Sequence, residues 1–464
     1  MPVRLAEPGR DGARRTVPGF GPVPSFVTRT RAFRGLGGTP TALRLAVADL
    51  ADLTGRLPWQ SDRQTFGTSW ESAEAATVSA LGEAVERLCA DTAPERGRML
   101  YGRYEQLRRR GVPALEPGRL ALYSPRQYAT AGFPFLPFLN DSPAHWVEAR
   151  SLTRDEPVHV PAFLVYSAWR RMPYARREPS YAFPPLGGTA AGATYEQAVL
   201  GGLQEVVERD AAAVWWANAH PLPALPLTPG LRALTGGARR EFDVRLVRID
   251  TEFGTPVLAA GVRGRDEGWL TYGFAARADP REAAAKALAE AYTLQNTCQA
   301  LDAPGAVPDT PGRPSPLRPH RQDRRYLDSY RTHTGEVGGM VEQLCQLQLF
   351  LDRRAVDRVA RWAWDLPAGR WPAASDRREG GAQALIAAAD AAGFEVLGVD
   401  LTTPRAAAAG LHAYRVIVPG TVQAAPAAYP ARGLRRMQDT AVRLGWRGQP
   451  LAEEGLNRFP MPHA

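Results

Sequence analysis

A chain of 464 residues with 44% hydrophobic content exceeds one typical core and is too apolar for wholesale disorder, so one large domain with appendages or two domains are expected. Nowhere do eighteen apolar residues run together, and the arginine-bearing N-terminus lacks an apolar stretch, which points to a cytoplasmic protein without a membrane segment. The net charge of +9 rests almost wholly on arginine, since Lys286 is the single lysine; with no Gly-Lys-Ser/Thr, a Walker phosphate loop is excluded.

In chain order, residues 1–60 read as an N-terminal arm, extended and partner-contacting, with a short amphipathic helix over Thr41–Leu53. Residues 61–464 form the main domain. Its first long helix is expected over Gly67–Ala93, placing Ser79, Glu83, Glu86 and Arg87 on one face and Leu81, Ala84, Val85 and Leu88 on the other. Residues 115–185 carry frequent prolines and short β-like runs such as Ala162–Tyr166. A turn at Gly187–Gly192 feeds a second helix over about 195–217, where Glu205, Glu208 and Arg209 oppose Leu203, Val206 and Val207.

Val244–Asp250 and Pro256–Val262 alternate as strands joined by a turn at Glu252–Thr255. A third helix, opened by Asp279-Pro280, carries Glu282, Lys286, Glu290 and Gln295, with Lys286 as the i,i+4 partner of Glu290. Prolines crowd 302–323, which reads as an insertion loop. Glu395–Leu401 and Tyr414–Val418 are expected as buried strands, and 455–464 as a proline-containing tail. Strands and helices intermix throughout, giving an α/β (α+β) class.

One Glu-x-x-Glu-Arg run is ordinarily a solvated helix face. Here the pattern occurs twice, at Glu83–Arg87 and Glu205–Arg209. Two such faces on apolar-backed helices could converge on a cation, and a cation suggests a phosphate, handled by arginines and metal-bridged carboxylates. Cys89, Cys298 and Cys345 are too widely spaced for a disulfide framework or a zinc site, and Cys89 reads as a packed thiol. Trp215 and Trp216 read as core. No basic cluster is interleaved with stacking aromatics, which disfavours a nucleic-acid partner.

An ordered set of segments adds to this. It comprises Gly67-Thr-Ser-Trp-Glu leading into Ser79–Arg87, Thr189-Ala-Ala-Gly192 leading into Glu205–Asp210, Tyr272-Gly-Phe-Ala-Ala before Asp279-Pro280 and Lys286–Glu290, Asp400–Pro404, and Arg415-Val-Ile-Val-Pro-Gly420. With them the chain resembles the YcaO family, specifically the cyclodehydratases of ribosomal peptide natural products such as azole and thiopeptide antibiotics. The resemblance implies a YcaO-type fold, with mixed sheets and helices around a central site for ATP and Mg2+. It makes Glu83, Glu86, Glu205 and Glu208 metal ligands, and Ser79, Arg87, Arg209, Glu290 and Gln295 nucleotide contacts. Pro460, Pro462 and Ala464 would be the catalytic tail.

The implied reaction forms a thiazoline or oxazoline from Cys, Ser or Thr of a precursor peptide, by phosphorylating a backbone amide. The same activation could give a thioamide or an amidine, and a non-catalytic scaffold or nucleic-acid binder is a third class. Two departures from the family pattern stand out. Ala193 and Gln197 replace an amide and a carboxylate, and Ala464 takes the place of the last proline of a Pro-x-Pro-x-Pro end. The short N-terminal arm leads us to expect a separate E1-like or ThiF-like partner that delivers the precursor peptide, within a homodimer or heteromeric complex.

Overall fold

The computed structural model describes residues 16–17, 20–35, 39–53, 63–92, 94, 96–236, 241–306, 315–332, 337–371 and 380–464. Strands β1 (Thr16–Val17) and β2 (Gly21–Pro22) form a small hairpin, and β3 (Val27–Arg34), β4 (Arg44–Leu50) and β5 (Gln64–Ser69) a three-stranded sheet. A larger sheet runs β6 (Met99–Arg103), β7 (Pro143–Ser151), β14 (Leu397–Asp400), β15 (His412–Ile417), β9 (Thr189–Gly192), with β8 (Glu156–Pro161) beside β7. Strands β10 (Ala224–Leu225), β11 (Phe242–Ile249), β12 (Val257–Gly264) and β13 (Leu270–Ala276) form a meander in sequence order. Helices α1 (Ala73–Asp91), α2 (Tyr195–Asn218) and α3 (Pro280–Leu301) pack against these sheets, and α4 (Arg436–Arg443) packs on α2. Helices and several sheets thus intermix as the sequence implies.

The local chemistry of the three long helices is plain. Each starts on a side-chain cap: Ser72 accepts from Ala75 N–H, Thr194 from Gln197 N–H, and Asp279 from Arg281 N–H, with Pro280 in the first turn. The apolar faces are sealed: Leu81, Ala84 and Val85 of α1 and Leu203 and Val207 of α2 have no exposed surface. Trp215 and Trp216 are core residues, at 0% and 5% exposure. Cys89 is buried 3.6 Å from the Thr403 hydroxyl, and burial pushes its thiol pKa up, as befits packing rather than reactivity.

Four expectations change. The amphipathic helix expected over Thr41–Leu53 is strand β4. Its Ala46, Ala48 and Leu50 join the core that contains α1, whereas Leu43 and Leu45 join the core that contains α3. A strand buried on both faces carries no alternation, so its apolar run imitates a helix. Residues 27–34 and 44–50 therefore pair as strands where an extended arm was expected, β4 buried and β3 largely exposed. The first long helix begins at Ala73, because residues 64–69 pair with β4. Ala162–Leu164 is a 3-10 turn, since Val165 N–H bends back to Ala162 O after Pro161. Within the proline-rich stretch, residues 307–314 lie outside the described residues, and beyond them Arg318 N–H donates to Gln348 Oε1 at 2.8 Å.

Candidate functional site

The three long helices meet the sheets at unusually short range. A Cβ on Gly67 of β5 would lie 2.2 Å from Ala76 O and Ala80 N of α1, and one on Gly273 of β13 would lie 2.2 Å from Ala287 O of α3. Glycine lets each strand backbone rest directly on a helix. That closeness brings strand N–H groups within reach of glutamates projecting from the helices.

A repeated contact results. Phe66 N–H donates to Glu83 Oε2 at 2.9 Å, and Phe274 N–H to Glu290 Oε2 at 2.7 Å. Between them, Ala191 N–H donates to Glu86 Oε1 at 3.0 Å and Gly188 N–H to Glu205 Oε2 at 2.8 Å. Four glutamates from three helices are each oriented by one main-chain donor. The remaining oxygens meet arginines: Glu83 Oε1 takes Arg87 at 3.0 Å, while Glu205 and Glu290 lie 3.8 and 3.6 Å from Arg209.

Glu208 differs. It was expected on the polar face of α2, yet only 3% of it is exposed, with Arg209 3.4 Å away. Burial, reinforced by Glu290 and Glu205, pushes its pKa up to about 7 despite the charges of Arg209 and Lys286. Glu86 is likewise raised to about 7, chiefly by burial, with the charges of Glu205 and Glu83 adding to it. Two carboxylates that give up charge this readily mark a cluster short of positive charge.

Arg209 stands among the carboxylates. Burial alone would lower its pKa, but Glu208, Glu290 and Glu205 raise it above the usual arginine value. One of its guanidinium nitrogens also donates to Nε2 of His463 in the C-terminal tail. That tail is seated in the molecule: Tyr272 N–H donates to Pro462 O at 2.7 Å, Trp216 Nε1 to Phe459 O at 2.7 Å, and Gln346 Nε2 to His463 O at 2.7 Å. Pro462 is buried and Ala464 half-buried against the core. A cleft opens beside it, with Arg209, His463, Trp216, Met437 and Pro460 in its lining.

The other residues expected at the site fall as follows. Ser79 is exposed on α1. Gln295 is buried in the sheet, where its Nε2 donates to Val262 O at 2.8 Å and also meets Trp269 O and Thr271 Oγ1, so its amide is engaged there and not with the carboxylates. Gln197 Oε1 accepts Ala193 N–H at 3.0 Å, closing the start of α2. Asp210, next to the second signature, serves the scaffold by pairing with Arg436 and Val422 N–H.

Sequence reasoning missed three residues. Arg415, 1% exposed, is fixed by Val165 O at 3.1 Å, by Gly187 O and by Ser167 Oγ, while its charge acts on Glu205 and Glu86. Burial lowers its pKa to about 10. Its signal was a cation inside the apolar run Tyr414–Val418. Arg277, whose charge acts on Glu208, sits just past β13. His463 gave no pattern to read.

Among the described residues no three His, Cys, Asp or Glu side chains form a metal-holding group by themselves. Magnesium does not require one, since it keeps waters and phosphate oxygens beside one or two carboxylates. Hard carboxylate oxygens, oriented by main-chain N–H groups and gathered from three helices, fit such an ion.

A family model described as YcaO cyclodehydratase, ATP- and Mg2+-binding, matches residues 70–422. A heterocyclase solved in complex with substrate and cofactor superposes with a TM-score of 0.68 at 22% identity, covering 100% of this chain and 59% of that one. The YcaO of Methanopyrus kandleri, bound with AMPPCP and Mg2+, gives a TM-score of 0.56 at 22% identity, covering 85% of this chain and 86% of that chain. An uncharacterised protein of Methanothermobacter thermautotrophicus is 31% identical over 159 residues, 32% of this chain and 40% of that protein. The chain thus spans less than two thirds of the first heterocyclase and of the curated relative. No helix among the described residues is long and apolar enough to cross a membrane.

Proposed function

This chain belongs to the YcaO family, and we propose that it is an ATP-dependent cyclodehydratase that forms azolines in a ribosomal precursor peptide. The observation that carries the proposal is the set of four glutamates, Glu83, Glu86, Glu205 and Glu290, each held by a strand or turn N–H, with Arg87 beside Glu83 and Arg209 beside Glu205 and Glu290. In this reading Glu83, Glu86, Glu205 and Glu208 hold magnesium, and Ser79, Arg87, Arg209 and Glu290 face the nucleotide. Bound Mg2+ and ATP would supply the phosphoryl group that makes an amide oxygen a good leaving group.

The chain's own residues position and neutralise. A substrate thiol or hydroxyl adds to the preceding carbonyl carbon and loses its proton, leaving an oxyanion. Arg209, which lines the cleft beside the tail, would stabilise that oxyanion as it takes the phosphoryl group. The C–O bond then breaks with release of phosphate as the nitrogen lone pair forms C=N, and the N–H proton is lost. ATP and peptide become ADP, phosphate and a ring product lighter by one water. Phe459, Pro460, Met461 and His463 of the tail line the cleft where the peptide backbone would lie.

The precursor peptide, a leader-binding E1-like partner contacting residues 1–60, and a cytoplasmic setting belong to the same proposal. The same amide activation with another nucleophile would give a thioamide or an amidine. Glu83→Gln and Glu205→Gln, tested with partner and precursor present, should each abolish ATP turnover and ring formation. Unchanged turnover in both would remove the proposal. Loss of one water per ring in the product mass identifies an azoline, and gain of the oxygen-to-sulfur difference a thioamide.

A further inference from the structure

The Arg209 guanidinium is suspended and not collapsed onto one acid. Its three carboxylate neighbours stand at 3.4 Å (Glu208), 3.6 Å (Glu290) and 3.8 Å (Glu205), each longer than the roughly 2.7–2.9 Å of a tight charge-assisted pair. Its close partner is neutral: Nε2 of His463. An arginine can only donate, so this Nε2 carries no proton. The ring proton therefore lies on Nδ1, which faces Tyr272 O at 3.0 Å. Burial and the Arg209 charge hold His463 to a pKa of about 4, so the imidazole stays uncharged at neutral pH.

Strand β13 sets this arrangement from one short stretch. Tyr272 O accepts from His463 Nδ1, Tyr272 N–H donates to Pro462 O, and Phe274 N–H orients Glu290. The Phe274 ring stands edge-on to the imidazole, with centroids 5.2 Å apart. The main chain of the tail is held as well, by Gln346 on His463 O. His463 is 5% exposed, so the contact is shielded from water.

A neutral acceptor holds a guanidinium without cancelling its charge. A carboxylate at the same place would close a bidentate pair and leave less field for an incoming anion. We propose that His463 is a positioning residue for the nucleotide site. It keeps Arg209 apart from Glu205, Glu208 and Glu290, so that the cation remains available to a phosphate group and the carboxylates to its metal. The proposal rests on the reading of Arg209 as a nucleotide contact. Without the imidazole, Arg209 would swing onto Glu208 or Glu290, and nucleotide affinity would fall through loss of a cation and an acid together.

The test uses the full chain with Mg2+ and the non-hydrolysable analogue AMPPNP, measured by titration calorimetry beside the thermal midpoint. His463→Phe keeps the ring volume and the contact with Phe274 but offers no acceptor. His463→Gln presents its Oε1 near the place of Nε2. Binding should weaken by about tenfold or more in the Phe variant and return to within about threefold of wild type in the Gln variant. Equal affinity in wild type, Phe and Gln variants would overturn the proposal, as would equal weakening in both variants. A wild-type chain that binds no Mg·AMPPNP would instead refute the nucleotide site itself.

A second measurement does not depend on the Phe variant folding. Imidazole 15N spectra of the wild type, compared with His463→Gln to single out one of the seven histidines, should show His463 as the Nδ1–H tautomer. An Nε2–H tautomer would overturn the proposal independently.

Discussion

Glu86 and Ala191, 105 residues apart, are joined by a 3.0 Å hydrogen bond from the Ala191 amide to the Glu86 carboxylate. This contact ties α1 to β9, the strand that leads into α2, and so couples the two halves of the repeated signature. It also explains why Glu86 remains in a half-buried place where ionisation is costly. The folded pKa of about 7 lies above the ordinary carboxylate value, so the folded state binds the proton more tightly. Stability contributed by the protonated form is complete below the unfolded value of about 4.3 and lost as pH rises through 7. Glu86→Gln keeps an acceptor for Ala191 and removes the charge. At pH 8 without Mg2+ it should stabilise the chain by roughly 1–3 kcal/mol, while ATP turnover disappears. Thermal melts at pH 5 and pH 8 test this, because the gain must be confined to the higher pH.

Arg415 presents a different balance. It is a buried cation whose hydrogen bonds go to Val165 O, Gly187 O and Ser167 Oγ. Gly187 is followed by Gly188, whose N–H holds Glu205. The guanidinium spans these acceptors with a planar fork, which a lysine ammonium on a single stem cannot reproduce. Arg415→Lys should loosen the Gly187–Gly188 turn, release Glu205 and weaken Mg·ATP binding by about tenfold. Calorimetric titration provides the number, and affinity equal to wild type would show that the turn is held by other means.

Gly273 tests the close approach of strand and helix. A methyl group there would meet Ala287 O at 2.2 Å and Ala291 N at 2.6 Å, backbone atoms that cannot step aside cheaply. Gly273→Ala should push β13 from α3, lengthen the Phe274–Glu290 bond and cost about 1–3 kcal/mol or more. The thermal midpoint should fall, and Mg·ATP affinity should fall with it, because Glu290 and the tail both depend on β13. A variant with wild-type melting and binding would contradict the packing described.

These residues show what could be read from the chain alone. The helix faces bearing Glu83, Glu86 and Glu205 were legible because their apolar backing recurs with helical spacing, and Asp279-Pro280 marks the start of α3, whereas the Ser72 cap was passed over and α1 was expected to begin as early as Gly67. Strand β4 was not legible, since burial on both faces erased its alternation. The burial of Glu208 was hidden because the tail that helps cover α2 arrives more than 240 residues later, through Phe459 O on Trp216 Nε1. Arg415 and His463 owe their places to partners hundreds of residues distant, so local spacing carries no trace of either contact. Gln295 showed the converse, with helical spacing placing it near Glu290 in sequence while its amide turned into the sheet.

Asp210 and Glu252 together clasp Arg436 and hold α4 against α2. Asp210 accepts from Arg436 Nε at 3.1 Å and from Val422 N–H at 2.8 Å, while Glu252 accepts from Arg436, Arg443 and the Thr440 hydroxyl. Burial would raise the Glu252 pKa, but the charges of Arg436 and Arg443 outweigh it and lower the folded value. Its contribution to stability is therefore fully present above the unfolded carboxylate value of about 4.3 and is lost as pH falls through the lower folded value. Glu252→Gln leaves Arg436, whose side chain is only 4% exposed, with half of its clasp. The substitution should cost about 1–3 kcal/mol at pH 7, and the gap to wild type should narrow in acid, as pH falls through the lowered folded value and Glu252 itself becomes neutral. Calorimetric melts of the two proteins along a series from pH 7 into acid decide the matter: a deficit equally large in acid would mean that shape, and not charge, makes Glu252 matter. Because Val422 lines the cleft beside Arg209, a loosened clasp should also raise the KM for peptide while leaving the Kd of Mg·AMPPNP within about twofold.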